Sequence, residues 1–147
     1  VAPTVVITGD AVIPEGDLYT LSLEPVVDPG ADSIQRYLVA WGDGKSNTFS
    51  TSSLTQATHT YTSGPSAPTI TVDLVDEDGT HEAASLSLTE VQGVSPVVAL
   101  SGAVSVNEGG LYTLNFGPVF DPGDVTVHRT PSTPPVWKRP LIPTLTA

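Results

Sequence analysis

Five acidic side chains crowd two turn-forming stretches: Asp28 and Asp32 in Asp28-Pro29-Gly30-Ala31-Asp32, and Asp76, Glu77 and Asp78 ahead of Gly79. Oxygen ligands arriving from two loops suit a hard cation, so Asp28, Asp32, Asp76 and Asp78 are the candidate Ca²⁺ ligands. Turn chemistry explains the same residues without a metal. Pro presets φ, Gly supplies a positive φ, and Asp bonds its own backbone. Asp43, between Gly42 and Gly44, reads either as a contact residue or as the acceptor that holds its own turn. His59 with an acid would make a dyad, but no nucleophile motif accompanies it. His81 and His128 are isolated in sequence, which gives a three-ligand zinc site no support. Trp41, Tyr37 and Tyr61 would serve a sugar-binding face if exposed and a core if buried. The expectation is a chain without catalysis and without an obligatory cofactor, Ca²⁺ being the one ion its acids suit.

The elements that must position these residues are strands. Asp17-Leu18-Tyr19-Thr20-Leu21-Ser22-Leu23 alternates, with Tyr19, Leu21 and Leu23 on one face, as in a half-buried antiparallel strand. Ile34 to Trp41 is apolar on both faces, Tyr37, Val39 and Trp41 against Leu38 and Ala40, and reads as a central strand closed by Gly42-Asp43-Gly44. Lys45 to Thr58 is polar and reads as an edge region with one or two short strands. Ile70, Val72 and Leu74 alternate with Thr71 and Asp73, and Asp78-Gly79 suits a tight hairpin turn into a return strand over Glu82 to Val91. Thr4 to Ile7 and Ala11 to Ile13 add two short runs. About seven short strands with turn signals between them predict a β-sandwich.

Bulk properties narrow the partners. The 147 residues carry 16 acids and 5 bases, a net charge of −11, with no cysteine. Such a body repels nucleic acid and anionic membrane surfaces. No apolar run is long enough to span a bilayer as a helix, so membrane insertion is not expected. The start, Val1-Ala2-Pro3, has neither a basic segment nor an apolar one, so any secretion signal is absent or already removed.

The chain then repeats itself. Pro96-Val97-Val98-Ala99-Leu100-Ser101-Gly102 echoes Pro3-Thr4-Val5-Val6-Ile7-Thr8-Gly9, and Glu108-Gly109-Gly110-Leu111-Tyr112-Thr113-Leu114 echoes Glu15-Gly16-Asp17-Leu18-Tyr19-Thr20-Leu21. Pro118-Val119-Phe120-Asp121-Pro122-Gly123 echoes Pro25-Val26-Val27-Asp28-Pro29-Gly30. From Glu15 to Glu108 and from Gly30 to Gly123 the step is the same, 93 positions, with no gap. The sequence therefore divides into a first unit over 1–92, the opening part of a second, truncated repeat over 93–124, and a Pro-rich tail over 125–147. The tail holds three of the five bases, Arg129, Lys138 and Arg139, and is expected to be extended or disordered. A switch this abrupt is what a truncated or frame-shifted repeat, or non-natural sequence, would produce. Half a sandwich leaves strand edges and an apolar face uncovered. It would be disordered, pack on the first unit, or pair with another copy. The strand Leu111-Tyr112-Thr113-Leu114-Asn115-Phe116 favours the last, a homodimer through Leu111, Tyr112, Leu114 and Phe116.

Three stretches of the first unit carry a family resemblance. Tyr37-Leu38-Val39-Ala40-Trp41-Gly42-Asp43-Gly44 resembles the strand of PKD (polycystic kidney disease) domains that ends in Trp-x-Phe-Gly-Asp-Gly, though it lacks the aromatic before the glycine. His59-Thr60-Tyr61 resembles that family's His-x-Tyr. Val72 to Gly79 resembles its long strand before an Asp-x-x-Gly hairpin. The resemblance covers most of residues 1–92, and nothing matches past Asp124. It implies an immunoglobulin-like antiparallel β-sandwich with Trp41, Gly42, Asp43, Gly44, His59 and Tyr61 as its structural motif. It further implies a non-catalytic extracellular module of a secreted or cell-surface protein. Such modules serve as spacers or adhesion units, or as accessories that bind carbohydrate or fibrous protein, sometimes with Ca²⁺.

Overall fold

The computed structural model describes residues 1–30 and 32–123. The stretch 125–147, expected to be extended or disordered, lies outside the described residues. The chain is all-β, and its strands are β1 (Ile7–Thr8), β2 (Val12–Pro14), β3 (Leu18–Leu23), β4 (Arg36–Ala40), β5 (Ser46–Phe49), β6 (Gln56–Thr60), β7 (Thr69–Val75), β8 (Thr80–Ser87), β9 (Glu90–Gln92), β10 (Val97–Gly102) and β11 (Leu114–Phe120).

Residues 1–92 form a sandwich. One sheet runs β1-β3-β6 and the other β5-β4-β7-β8, both antiparallel. Alternation decides which side chains meet between them. Tyr19, Leu21 and Leu23 of β3 are buried on the first sheet, and Tyr37, Val39, Ile70, Val72 and Leu74 on the second. With Val5, Ile7, Trp41, Ala57 and Tyr61 they belong to one continuous apolar cluster. Each such side chain contributes about 1.5–3 kcal/mol when fully buried. The strand read as central is so: β4 pairs β5 on one side and β7 on the other.

One feature departs from the sequence reading. The return strand expected over Glu82 to Val91 breaks after Ser87. Its last part, β9, leaves β8 and pairs in parallel with β2, Ile13 opposite Val91. Leu88 and Val91 explain the break, because both are buried and both point into the core from the crossing segment. The polar region Lys45 to Thr58 holds two short strands at sheet edges, as expected, β5 beside β4 and β6 beside β3. Their outward residues are polar, which hides the period.

Beyond residue 93, β10 and β11 form a separate antiparallel pair. Its register repeats that of the first unit. Thr4 opposite Val27, Ile7 opposite Leu23 and Thr8 opposite Ser22 become Val97 opposite Phe120, Leu100 opposite Phe116 and Ser101 opposite Asn115. Local contacts recur too. The Tyr19 hydroxyl lies where a Cβ on Gly9 would be, and the Tyr112 hydroxyl stands in the same relation to Gly102.

Candidate functional site

The densest arrangement of polar and aromatic side chains sits where β4 ends. Gly42 has φ of +81°, and a Cβ there would fall 2.5 Å from the Thr69 carbonyl oxygen, so the turn needs glycine. Turning here places Asp43 beside β6. Its Oδ1 accepts the Lys45 amide at 3.0 Å and its Oδ2 lies 2.8 Å from His59 Nε2. The His59 ring stacks on Trp41, with centroids 4.8 Å apart and planes 10° apart, and meets Tyr61 edge-on at 4.7 Å. The Tyr61 hydroxyl donates to the Trp41 carbonyl at 2.9 Å, and Trp41 Nε1 donates to Asn47 Oδ1 at 2.6 Å. Trp41, Gly42, Asp43, His59 and Tyr61 thus form one clasp joining the two sheets, while Gly44 (φ +87°) completes the turn without close neighbours.

The Tyr61 hydroxyl is buried and held by a carbonyl, and burial, then Tyr19 and Asp43, raise its pKa well above that of free tyrosine. Trp41, Tyr37 and Tyr61 are all in the core, so none offers a sugar-stacking face.

Burial pushes the Asp43 carboxyl up, and the hydrogen bonds from His59 and the Lys45 amide outweigh it, leaving the group below the ordinary carboxylate range. A carboxylate depressed by folding contributes stability that is present above its unfolded pKa and lost as pH falls through the folded one. Melting temperature is therefore expected to hold between about pH 7 and about pH 5, then to fall below about pH 4. In Asp43→Asn that acid limb should be shallower. An unchanged limb would show that the carboxylate is not what the clasp depends on.

The acidic loops do meet at one end of the sandwich. Glu77 Oε2 accepts the Ser33 amide at 2.8 Å, and Asp32 is raised by burial and by Asp78, Asp28, Glu77 and Asp76 around it. Two of their oxygens, Asp28 Oδ1 and Asp76 Oδ1, are engaged in turn geometry. Asp28 Oδ1 takes the Gly30 amide at 2.9 Å, while its Oδ2 is buried without a partner. Asp76, nearly buried, accepts the amides of Asp78 and Gly79 and contacts His81. Burial would raise Asp76, but these donors lower it. Among the described residues, no group of three or more His, Cys, Asp or Glu side chains is placed to hold a metal ion.

The residues expected to drive self-association, Leu111, Tyr112, Leu114 and Phe116, lie on an open face. Phe116 is 70 % exposed and Leu111 92 %, and Tyr112 and Leu114 are about half exposed. With Val98 and Val119, Phe116 lines a shallow apolar hollow of about 450 Å³. In the first unit the residues 93 positions earlier than Tyr112, Leu114 and Phe116, namely Tyr19, Leu21 and Leu23, are at most 5 % exposed.

One polar residue escapes sequence reasoning. Glu15 is buried, and its carboxylate accepts the amides of Gly64 at 2.6 Å and Val94 at 2.7 Å. The available signal was its place in a Glu-Gly pair that recurs as Glu108-Gly109.

Among the described residues, no helix is long and apolar enough to cross a membrane. Comparison with known proteins returned no matching family model, no matching curated protein and no matching solved structure.

Proposed function

We propose that this chain is a non-catalytic, extracellular spacer or adhesion unit with a PKD-like, immunoglobulin-like fold, drawn from a repetitive secreted or cell-surface protein. In this reading residues 93–124 are the opening of a second, truncated repeat. The observation that carries it is the pairing of a closed clasp with an open face. Every aromatic of the Trp41 motif is consumed in the core, whereas β10 and β11 present the same residue types outward that β1 and β3 bury. A surface of this composition functions by being covered. The occupant is a second copy of the chain, which brings an identical apolar face, as an isologous pair requires. Charge favours contact at this place, since only Glu108, Asp121 and Asp124 of the 16 acids lie beyond residue 92.

The second reading is an accessory module that binds carbohydrate or fibrous protein with the help of Ca²⁺, and the crowded acids at Asp28–Asp32 and Asp76–Asp78 are its support. Glycan-panel and collagen binding, run with Ca²⁺ and then with EDTA, separates the two. The spacer reading expects no micromolar binding and no change in melting temperature between the two conditions. A micromolar hit, or a Ca²⁺-dependent rise in melting temperature, would replace it with the second.

A further inference from the structure

The step from one repeat to the next is built around a buried carboxylate. Glu15 follows β2, which β9 holds in parallel, so the residue sits beside the point where the first unit ends. Its own amide donates to the Gln92 carbonyl at 2.8 Å, and the Gly16 amide donates to that of Tyr61 at 2.8 Å. The backbone is thereby fixed on both sides of the side chain. One carboxylate oxygen then takes Gly64 N–H from the first unit, and the other takes Val94 N–H from the segment leading into the second. Charge-assisted bonds of this kind are about twice as strong as neutral ones. Gly64 and Gly93 pack so closely that a Cβ on Gly64 would fall 2.6 Å from the Gly93 nitrogen.

The later repeat contributes a second contact. Its Asp121-Pro122-Gly123 turn lies on the Glu15-Gly16 pair. A Cβ on Gly123 would fall 2.9 Å from Glu15 Cδ, and one on Gly16 would meet the Pro122 backbone. The Gly123 amide is held by Asp121 Oδ1 at 3.1 Å, as the Gly30 amide is held by Asp28. Both halves of this contact recur along the chain. Glu15-Gly16 returns as Glu108-Gly109, with φ of +85° at Gly16 and +75° at Gly109, and Asp28-Pro29-Gly30 returns as Asp121-Pro122-Gly123.

We propose that successive repeats dock head to tail, the linker amide and Asp-Pro-Gly turn of the later repeat seating on the buried Glu-Gly pair of the earlier one. Glu15 is then the positioning residue of the joint. The Asp28-Pro29-Gly30 turn is the head surface that fits the Glu-Gly pair and Gly64-type loop of a preceding copy of this repeat. A contact between unlike surfaces propagates along an array, and this one makes the array stiff instead of freely jointed. The inference rests on reading residues 93–123 as a second repeat. It is independent of self-association, which is read from molar mass.

The test is amide hydrogen exchange on the full chain. Val94 should be protected in the unaltered protein. Glu15→Gln replaces one acceptor with an NH₂ group that opposes a donor, and should speed Val94 exchange by about tenfold or more while the Val72 and Leu74 amides stay protected. Glu108→Gln should leave Val94 within about twofold, because residue 108 is exposed and plays no part in this joint. Gly123→Ala places a Cβ 2.9 Å from Glu15 Cδ and from the Thr62 carbonyl oxygen and should speed Val94 by about threefold or more. It carries the test if Glu15→Gln loses the protection of Val72 and Leu74. Val94 exchanging at the free-peptide rate in the unaltered chain would overturn the joint. So would Val94 exchange unchanged in a folded Glu15→Gln, or in Gly123→Ala where the first variant does not fold.

Discussion

Replacing Trp41 with alanine is expected to destabilise the first unit by about 3–5 kcal/mol, the range for emptying a buried large aromatic site. The indole is fully buried, stacks on His59, stands edge-on to Tyr19 with centroids 6.4 Å apart, and donates to Asn47. Truncation removes the apolar burial and leaves a cavity, while Asn47 is exposed and its Oδ1 turns to water, so the lost hydrogen bond adds little. Domains of this size hold about 5–15 kcal/mol in all, so the change takes a large share of what is available. Urea unfolding followed by far-ultraviolet circular dichroism should show a lower midpoint with an unchanged slope. A loss below about 1 kcal/mol would mean that the sheets are joined elsewhere and that the clasp is incidental.

The second large effect concerns assembly. A chain carrying both Leu114→Asp and Phe116→Asp is expected to remain a monomer where the unaltered chain pairs. Each of the two side chains contributes about 1.5–3 kcal/mol when covered, and the new carboxylates would have to be desolvated without partners. Together these weaken pairing by at least about a hundredfold. The first unit should be untouched, because neither residue belongs to its core. Equal association of the variant and the unaltered chain would place the contact on another surface.

The sequence was readable where one period dominated. The alternation of Leu18 to Leu23 and of Thr69 to Val75, and the Asp78-Gly79 turn, correspond to β3, β7 and the β7–β8 hairpin. Trp41, with apolar neighbours on both faces of its strand, had one sensible place, and it occupies that place. The parallel crossing of β9 was not readable. Glu90 falls where the period of Ala84, Leu86 and Leu88 calls for an apolar residue and Val91 is out of phase with it, which marks a break but names no partner strand; what moves the chain across is the pull of Leu88 and Val91 into a core made by distant strands. Glu15 was hidden for a related reason. Between Pro14 and Gly16 it looks like a solvated turn residue. It is enclosed by segments distant in sequence: Val91, Gln92 and Val94 from the far end of the unit, the Gly64 loop and the Gly123 turn. The acidic loops show the converse. Asp28 and Asp76 were legible as turn residues, and one oxygen of each accepts nearby amides as turn chemistry requires.

The uncovered face of β10 and β11 gives the spacer reading its consequence for assembly, and molar mass reads it directly. Light scattering of the full chain, across about a hundredfold range of concentration, should rise toward twice the 15.2 kDa chain mass. A chain shortened to residues 1–95, which keeps Val94 on Glu15 but lacks β10 and β11, should stay at the mass of one chain throughout. A full-length chain that remains at 15.2 kDa over the whole range would contradict self-association through this face.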